Sequence, residues 1–376
     1  MSSTKKVNEK EKNSKKEKVN FFKKWYIYQK ERFPVLVYGI YILAIILAAF
    51  KFGYACQGYN IRSNIRSYGI VMGYDENSKF YMREEYSDHY FNFDYKALIP
   101  MFVSMFLLFL MVRIVDEFKD YKEDCKYRPY RPVPRGLVSR WELAILFVIC
   151  LIAQIGIFIN QYNNFNLEGI TLVSGIATAV MFILLGFDFF IGKYLSKHKI
   201  ISLFFDELLM FTAVIYILSF IPNFYSYANS GSGIPESGPS GFIVFMLKFP
   251  IFALLPYIGA WIMEIARKMR CENCEEKGVK TYTAVFGIPK ASIILSIVEI
   301  IFMAVSCFEV WFLTKLNNAI SLPVIFYLIF IVLGVICLIF NFMFNEIQSH
   351  KWSKNVEYMG YSQVILTYIV FFFIFM

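Results

Sequence analysis

Nine long runs of apolar residues decide what this chain can fold into. They fall at about 35–55, 97–118, 141–160, 170–191, 201–221, 242–266, 290–314, 322–344 and 360–376. A bilayer's hydrocarbon core is crossed by roughly 20 helical residues. Inside lipid no water satisfies the backbone, so a crossing segment must be a helix or part of a closed barrel. Barrel strands alternate in character, and these runs do not. The expected fold class is therefore all-α, a polytopic membrane protein with about nine transmembrane helices. Composition agrees, since 57% hydrophobic residues leave too little polar surface for a soluble fold.

The polar segments between the runs set the organisation. Residues 1–32 hold eleven Lys/Arg against four Glu and stay polar until Phe21, Phe22 and Trp25. They read as a basic, largely disordered tail with an aromatic end for the membrane surface. Residues 33–376 form the transmembrane domain. Its loops at 119–140, Lys193–Lys199 and 267–290 are rich in Lys and Arg, whereas 161–168 and Pro222–Gly241 have none. The positive-inside rule then makes the N-terminus cytoplasmic, and an odd number of spans puts the C-terminus outside. Residues 56–95 become a polar loop on the outer side. The net charge of +9 sits in the tail and inner loops, next to membrane lipid, and gives no nucleic-acid surface. Of the seven Cys, Cys271 and Cys274 form a single CxxC pair, a weak signal for metal or redox chemistry without a second pair.

One inner segment carries a pattern. Asp116, Asp120 and Asp124 follow the second run at steps of four. On a helix such residues share a face, and like charges there repel. A magnesium ion would offset that repulsion, because it takes carboxylate and phosphate oxygens together. Pairing with Lys119, Lys122 and Lys126 is the plainer account. A second acidic stretch leaves the sixth run on the same face. Glu264, Lys268 and Glu272 repeat the four-residue step, and Glu275 and Glu276 follow. Two acidic helix ends with Arg and Lys between them suit a diphosphate bridged by metal.

The two segments together resemble those of the UbiA superfamily of intramembrane prenyltransferases. Beside the Asp series stand Arg131-Pro132-Val133-Pro134-Arg135-Gly136, and beside the Glu series Gly278-Val279-Lys280-Thr281 and Phe286-Gly287. The resemblance covers roughly residues 33–376 and implies a UbiA-type bundle. It implies an enzyme that moves a prenyl group from an isoprenyl diphosphate to a lipid-soluble or aromatic acceptor within the membrane, with Mg²⁺ as cofactor. It implies metal ligands among Asp116, Asp120, Asp124, Glu264, Glu272, Glu275 and Glu276. Arg128, Arg131, Lys268 and Lys280 would contact the diphosphate. The catalytic set would be Asp116, Asp120, Asp124, Glu264, Lys268 and Lys280, and the setting a bacterial cytoplasmic membrane. Two other functions use the same residues: cyclisation of a prenyl diphosphate without an acceptor, and lipid binding or cation carriage without catalysis.

Overall fold

A computed structural model describes residues 20–56, 67–74, 80–87, 95–165, 170–186, 205, 207–221, 241–276, 279, 281–316 and 324–374. Helix α1 (Phe21–Arg32) stops where Pro34 denies Phe33 a helical backbone, and α2 (Val35–Cys56) starts directly after it. A hairpin follows, pairing β1 (Ser67–Tyr74) antiparallel with β2 (Phe80–Ser87), Ser67 opposite Ser87 and Tyr74 opposite Phe80. It is the one sheet among the described residues and lies in the polar segment 56–95. The remaining helices are α3 (Tyr95–Lys119), α4 (Tyr121–Tyr127), α5 (Arg140–Phe165), α6 (Ile170–Gly186), α7 (Leu208–Leu218), α8 (Gly241–Arg267), α9 (Tyr282–Phe286), α10 (Ile288–Leu316), α11 (Ile325–Ile347) and α12 (His350–Ile374).

Seven of these helices are long and apolar enough to cross a bilayer: α2, α3, α5, α8, α10, α11 and α12. Two shorter apolar helices, α6 and α7, occupy the fourth and fifth expected runs. The protein is an integral membrane protein of the expected all-α class. One boundary differs from expectation. The last helix begins at His350 rather than near 360, because Ser349 caps it and a polar first stretch is no barrier to a helix. Hydropathy marks the part of a helix inside lipid, and α12 extends beyond that part. The seventh helix is described from Leu208, with residues 201–204 and 206 outside the described set.

Helices α2 and α8 sit inside the bundle. α2 packs on α3, α8 and α12, while α8 packs on α7, α10 and α12. In lipid such contacts depend on close packing, and small residues permit it. Gly259 of α8 faces α12, where a β-carbon would lie 2.9 Å from Tyr368 Oη and 3.0 Å from Val364 Cγ1. Gly259→Ala is expected to destabilise the bundle by about 1–3 kcal/mol through overpacking. Gly39→Ala, where an added carbon meets nothing within 4 Å, serves as the control. The check is the melting temperature of each variant in detergent. Equal melting of the two variants would count against a tight α8–α12 contact.

Candidate functional site

Helix α3 delivers Arg113, Asp116 and Glu117 in its last two turns, and the chain then bends at Asp120. The helical ladder survives the bend. Asp120 N–H donates to Asp116 O at 2.9 Å, and Asp124 N–H donates to Asp120 O at 2.8 Å. The Asp series therefore sits on two short-coupled helices instead of one continuous face, and its members meet different surroundings.

Glu117 and Asp124 point inward, with 2% and 1% of their surface exposed. Glu117 is ion-paired to Arg32 of α1 and lies 3.6 Å from Arg113 Nη2. Asp124 receives Arg131 Nη1 on both oxygens, at 2.9 and 2.6 Å. Arg128 Nε lies 3.2 Å from Asp124 Oδ1, and Arg32 Nη2 lies 3.9 Å from Oδ2. A turn brings Arg131 back to this position. Leu137 N–H donates to Pro132 O at 2.9 Å, and Gly136, at φ +76°, adopts a backbone open to glycine. The Arg-Pro-Val-Pro-Arg-Gly run is thus a device that returns a guanidinium to the buried Asp124.

The other two aspartates are placed differently. The Asp116 side chain is 41% exposed and 3.5 Å from Arg113 Nη1. Asp120 is half-buried and makes no ion pair or side-chain hydrogen bond among the described residues. The two carboxylates are close enough to act on each other electrostatically, and Arg267 of α8 acts on Asp116 from across the bundle.

The second acidic segment is mostly self-satisfied. α8 ends at Arg267, where Lys268 N–H turns back to Ile265 O (2.9 Å) and Met269 N–H to Ala266 O (3.2 Å). The expected helical step from Lys268 to Glu272 is broken there, and Glu272 opens a single 3₁₀ turn, Glu272–Cys274. Cys271 and Cys274 at that turn are joined by a disulfide. Glu264 is ion-paired to Arg267 and Lys268. Glu275 accepts from Thr281 Oγ1 and Thr283 Oγ1, each at 2.6 Å. Glu276 lies 3.7 Å from Arg270 Nη1. Lys280 lies outside the described residues.

The two segments nevertheless meet. Tyr130 Oη donates to Glu276 Oε2 at 3.2 Å across 146 positions of sequence. Burial first and the Glu276 charge second raise the phenol's pKa above its ordinary value. On the other side, burial first and the Glu117 charge second push the Tyr28 phenol of α1 well above its ordinary value.

Among the described residues no three His, Cys, Asp or Glu side chains form a set able to hold a metal. Magnesium, however, commonly takes one or two carboxylates, with phosphate oxygens and waters filling its octahedron. Asp116 and Asp120 meet that requirement. Asp124, Glu264, Glu275 and Glu276 have their oxygens engaged by cations or hydroxyls. Sequence reasoning missed Glu117, Arg113 and Arg32. Arg113 and Glu117 carry a visible i,i+4 signal, whereas Arg32 has no local signal at all. Deeper in the bundle, Phe109 lies two helical turns before Asp116. Its ring centroid is 6.0 Å from Tyr38 and 6.1 Å from Tyr41, and Tyr41 is 6.2 Å from Tyr368.

Residues 89–359 match the model of the UbiA prenyltransferase family. A solved structure concerned with the biosynthesis of digeranylgeranylglyceryl phosphate synthase in membranes is similar at 16% identity and a TM-score of 0.46. That likeness covers 89% of this chain and 98% of the other. No curated protein matches.

Asp124 and Asp120 should respond unequally to the same change. Asp124→Asn leaves buried guanidiniums without their carboxylate and is expected to cost about 3 kcal/mol of stability. Asp120→Asn removes no partner and should stay within about 0.5 kcal/mol of the parent. Thermal unfolding of both variants in one detergent distinguishes them, and equal losses would refute the division.

Proposed function

This chain belongs to the UbiA prenyltransferase family, and we propose that it transfers a prenyl group from an isoprenyl diphosphate to a lipid-soluble acceptor, with magnesium held at the end of α3. The observation that carries this reading is the sorting of acids there. Asp116 has the Arg113 guanidinium 3.5 Å away and Asp120 makes no ion pair or side-chain hydrogen bond among the described residues, beside the arginines that hold Glu117 and Asp124.

Asp116 and Asp120 would hold magnesium, which supplies charge stabilisation for a departing diphosphate. Arg113, Arg128 and Arg267 would take the remaining phosphate oxygens through charge-assisted hydrogen bonds. Arg131 keeps Asp124 in place beneath them. The second segment contributes two cations, Arg267 and Lys268, both paired to Glu264. Glu264, Glu275 and Glu276, whose oxygens are engaged, act as orienting anions in this reading and not as ligands.

The prenyl chain would run from the diphosphate into the bundle past Phe109, Tyr38 and Tyr41. When the C–O bond breaks, both electrons leave with the diphosphate and an allylic cation remains. Aromatic faces stabilise such a cation by about 0.5–2 kcal/mol each. An electron-rich carbon or other nucleophile of the acceptor then bonds to the prenyl carbon and loses its proton. The buried, apolar walls exclude water, which would otherwise capture the cation. The charge asymmetry of the loops favours a site on the cytoplasmic face of a bacterial membrane.

Purified protein given labelled isoprenyl diphosphates of several lengths and membrane-lipid extract as acceptor source should yield a lipid-soluble labelled product. Chelation should abolish it, and added magnesium should restore it. Asp120→Ala should lower the rate about a hundredfold, the scale of losing one electrostatic stabiliser, with unchanged melting. Parent-like transfer by Asp120→Ala would overturn the assignment. Labelled product without any acceptor would indicate the cyclase alternative.

A further inference from the structure

We propose that Arg32 of α1 is a positioning residue for the magnesium and diphosphate site, supplied by a helix outside the matched residues 89–359. This rests on the prenyl-transfer reading above. Arg32 is only 8% exposed. Its Nε pairs with Glu117, and its Nη2 lies 3.9 Å from Asp124 Oδ2. One planar guanidinium therefore faces both of the buried acids at this helix end, a task suited to its fork of donors.

Helix α1 is fixed to this end of the bundle along its length. Tyr28 is buried with Ile114, Val133, Val138 and Leu143, which belong to α3, the proline-rich turn and α5. Lys24 is ion-paired to Glu142 at the start of α5. Glu31 lies 2.9 Å from Arg135 Nη2 in the proline-rich turn. Arg32 occupies the last turn of α1, where the helix dipole also favours a cation.

The consequence runs through Arg113. That side chain is 3.5 Å from Asp116 and 3.6 Å from Glu117, so the two carboxylates compete for it. Arg32 satisfies Glu117 and leaves Arg113 able to face Asp116 and a phosphate. Without Arg32, the buried Glu117 would claim Arg113, because a buried carboxylate cannot stay unpaired. Asp116 would then lose its neighbouring cation, and Asp116 and Asp120 would repel each other with less compensation. Arg32 touches neither metal nor substrate in this scheme and acts through Glu117 and Arg113.

The test uses the full chain in detergent, with magnesium and inorganic diphosphate as probes. The readout is the magnesium concentration giving half of the diphosphate-dependent rise in melting temperature, measured alongside prenyl transfer. Arg32→Ala should raise that concentration about tenfold, the lower range for losing a residue that orients a metal ligand. Arg32→Lys, which keeps the charge but cannot span two carboxylates, should raise it about threefold and recover part of the transfer rate. If Arg32→Ala does not fold, Arg32→Lys decides the matter. A magnesium midpoint equal to the parent's, whether or not melting falls, would reduce Arg32 to a structural role and overturn the proposal. A parent that transfers prenyl groups while both variants titrate like it overturns this proposal alone. A parent with no magnesium-dependent diphosphate binding overturns it together with the functional reading.

Discussion

A buried carboxylate must have a cation or several donors beside it, and that requirement shapes the end of α3 and α4. Five acids lie there within nine residues, Asp116, Glu117, Asp120, Asp124 and the exposed Glu123. An isolated charge moved from water into an apolar interior would cost far more than a protein's whole stability. The inward pair is therefore surrounded by Arg32, Arg113, Arg128 and Arg131. That arrangement explains why α1 docks where it does, why the chain turns sharply at Gly136, and why two other acids stay available. The site is what remains after the buried charges are satisfied.

The transmembrane architecture was legible because lipid leaves the backbone so few options. An apolar run of sufficient length has to become a helix, whatever its neighbours do. What lay outside that rule was harder to read. The early start of α12 depends on Ser349 and a polar first stretch, which hydropathy does not register. The hairpin of β1 and β2 lies in the 56–95 segment, which sequence marked only as a polar loop.

The candidate site was legible by residue type and less so by role. Asp120 and Asp124 are the same amino acid at the same spacing, yet among the described residues one has no side-chain partner and the other is enclosed by arginines. Spacing cannot reveal that difference, because it arises from Arg131 returning through a turn and from Arg32, which lies 92 positions before Asp124 in the sequence. The second segment offered a better clue. Arg267 and Lys268 stand three and four residues after Glu264, the separations at which side chains on a helix meet. Those spacings alone mark Glu264 as the partner of two cations, and so as a poor candidate for a metal ligand.

The hydrogen bond from Tyr130 to Glu276 closes the space between two halves of the chain that are otherwise built separately. A single hydrogen bond to a charged group contributes about 1.5–3 kcal/mol at most. Thermal motion can break so small a tie often, while the ion pairs on either side keep each half in shape. In the proposed reading this single contact joins the two segments at the rim of the site, where a charged headgroup would enter while its prenyl chain stays in the lipid.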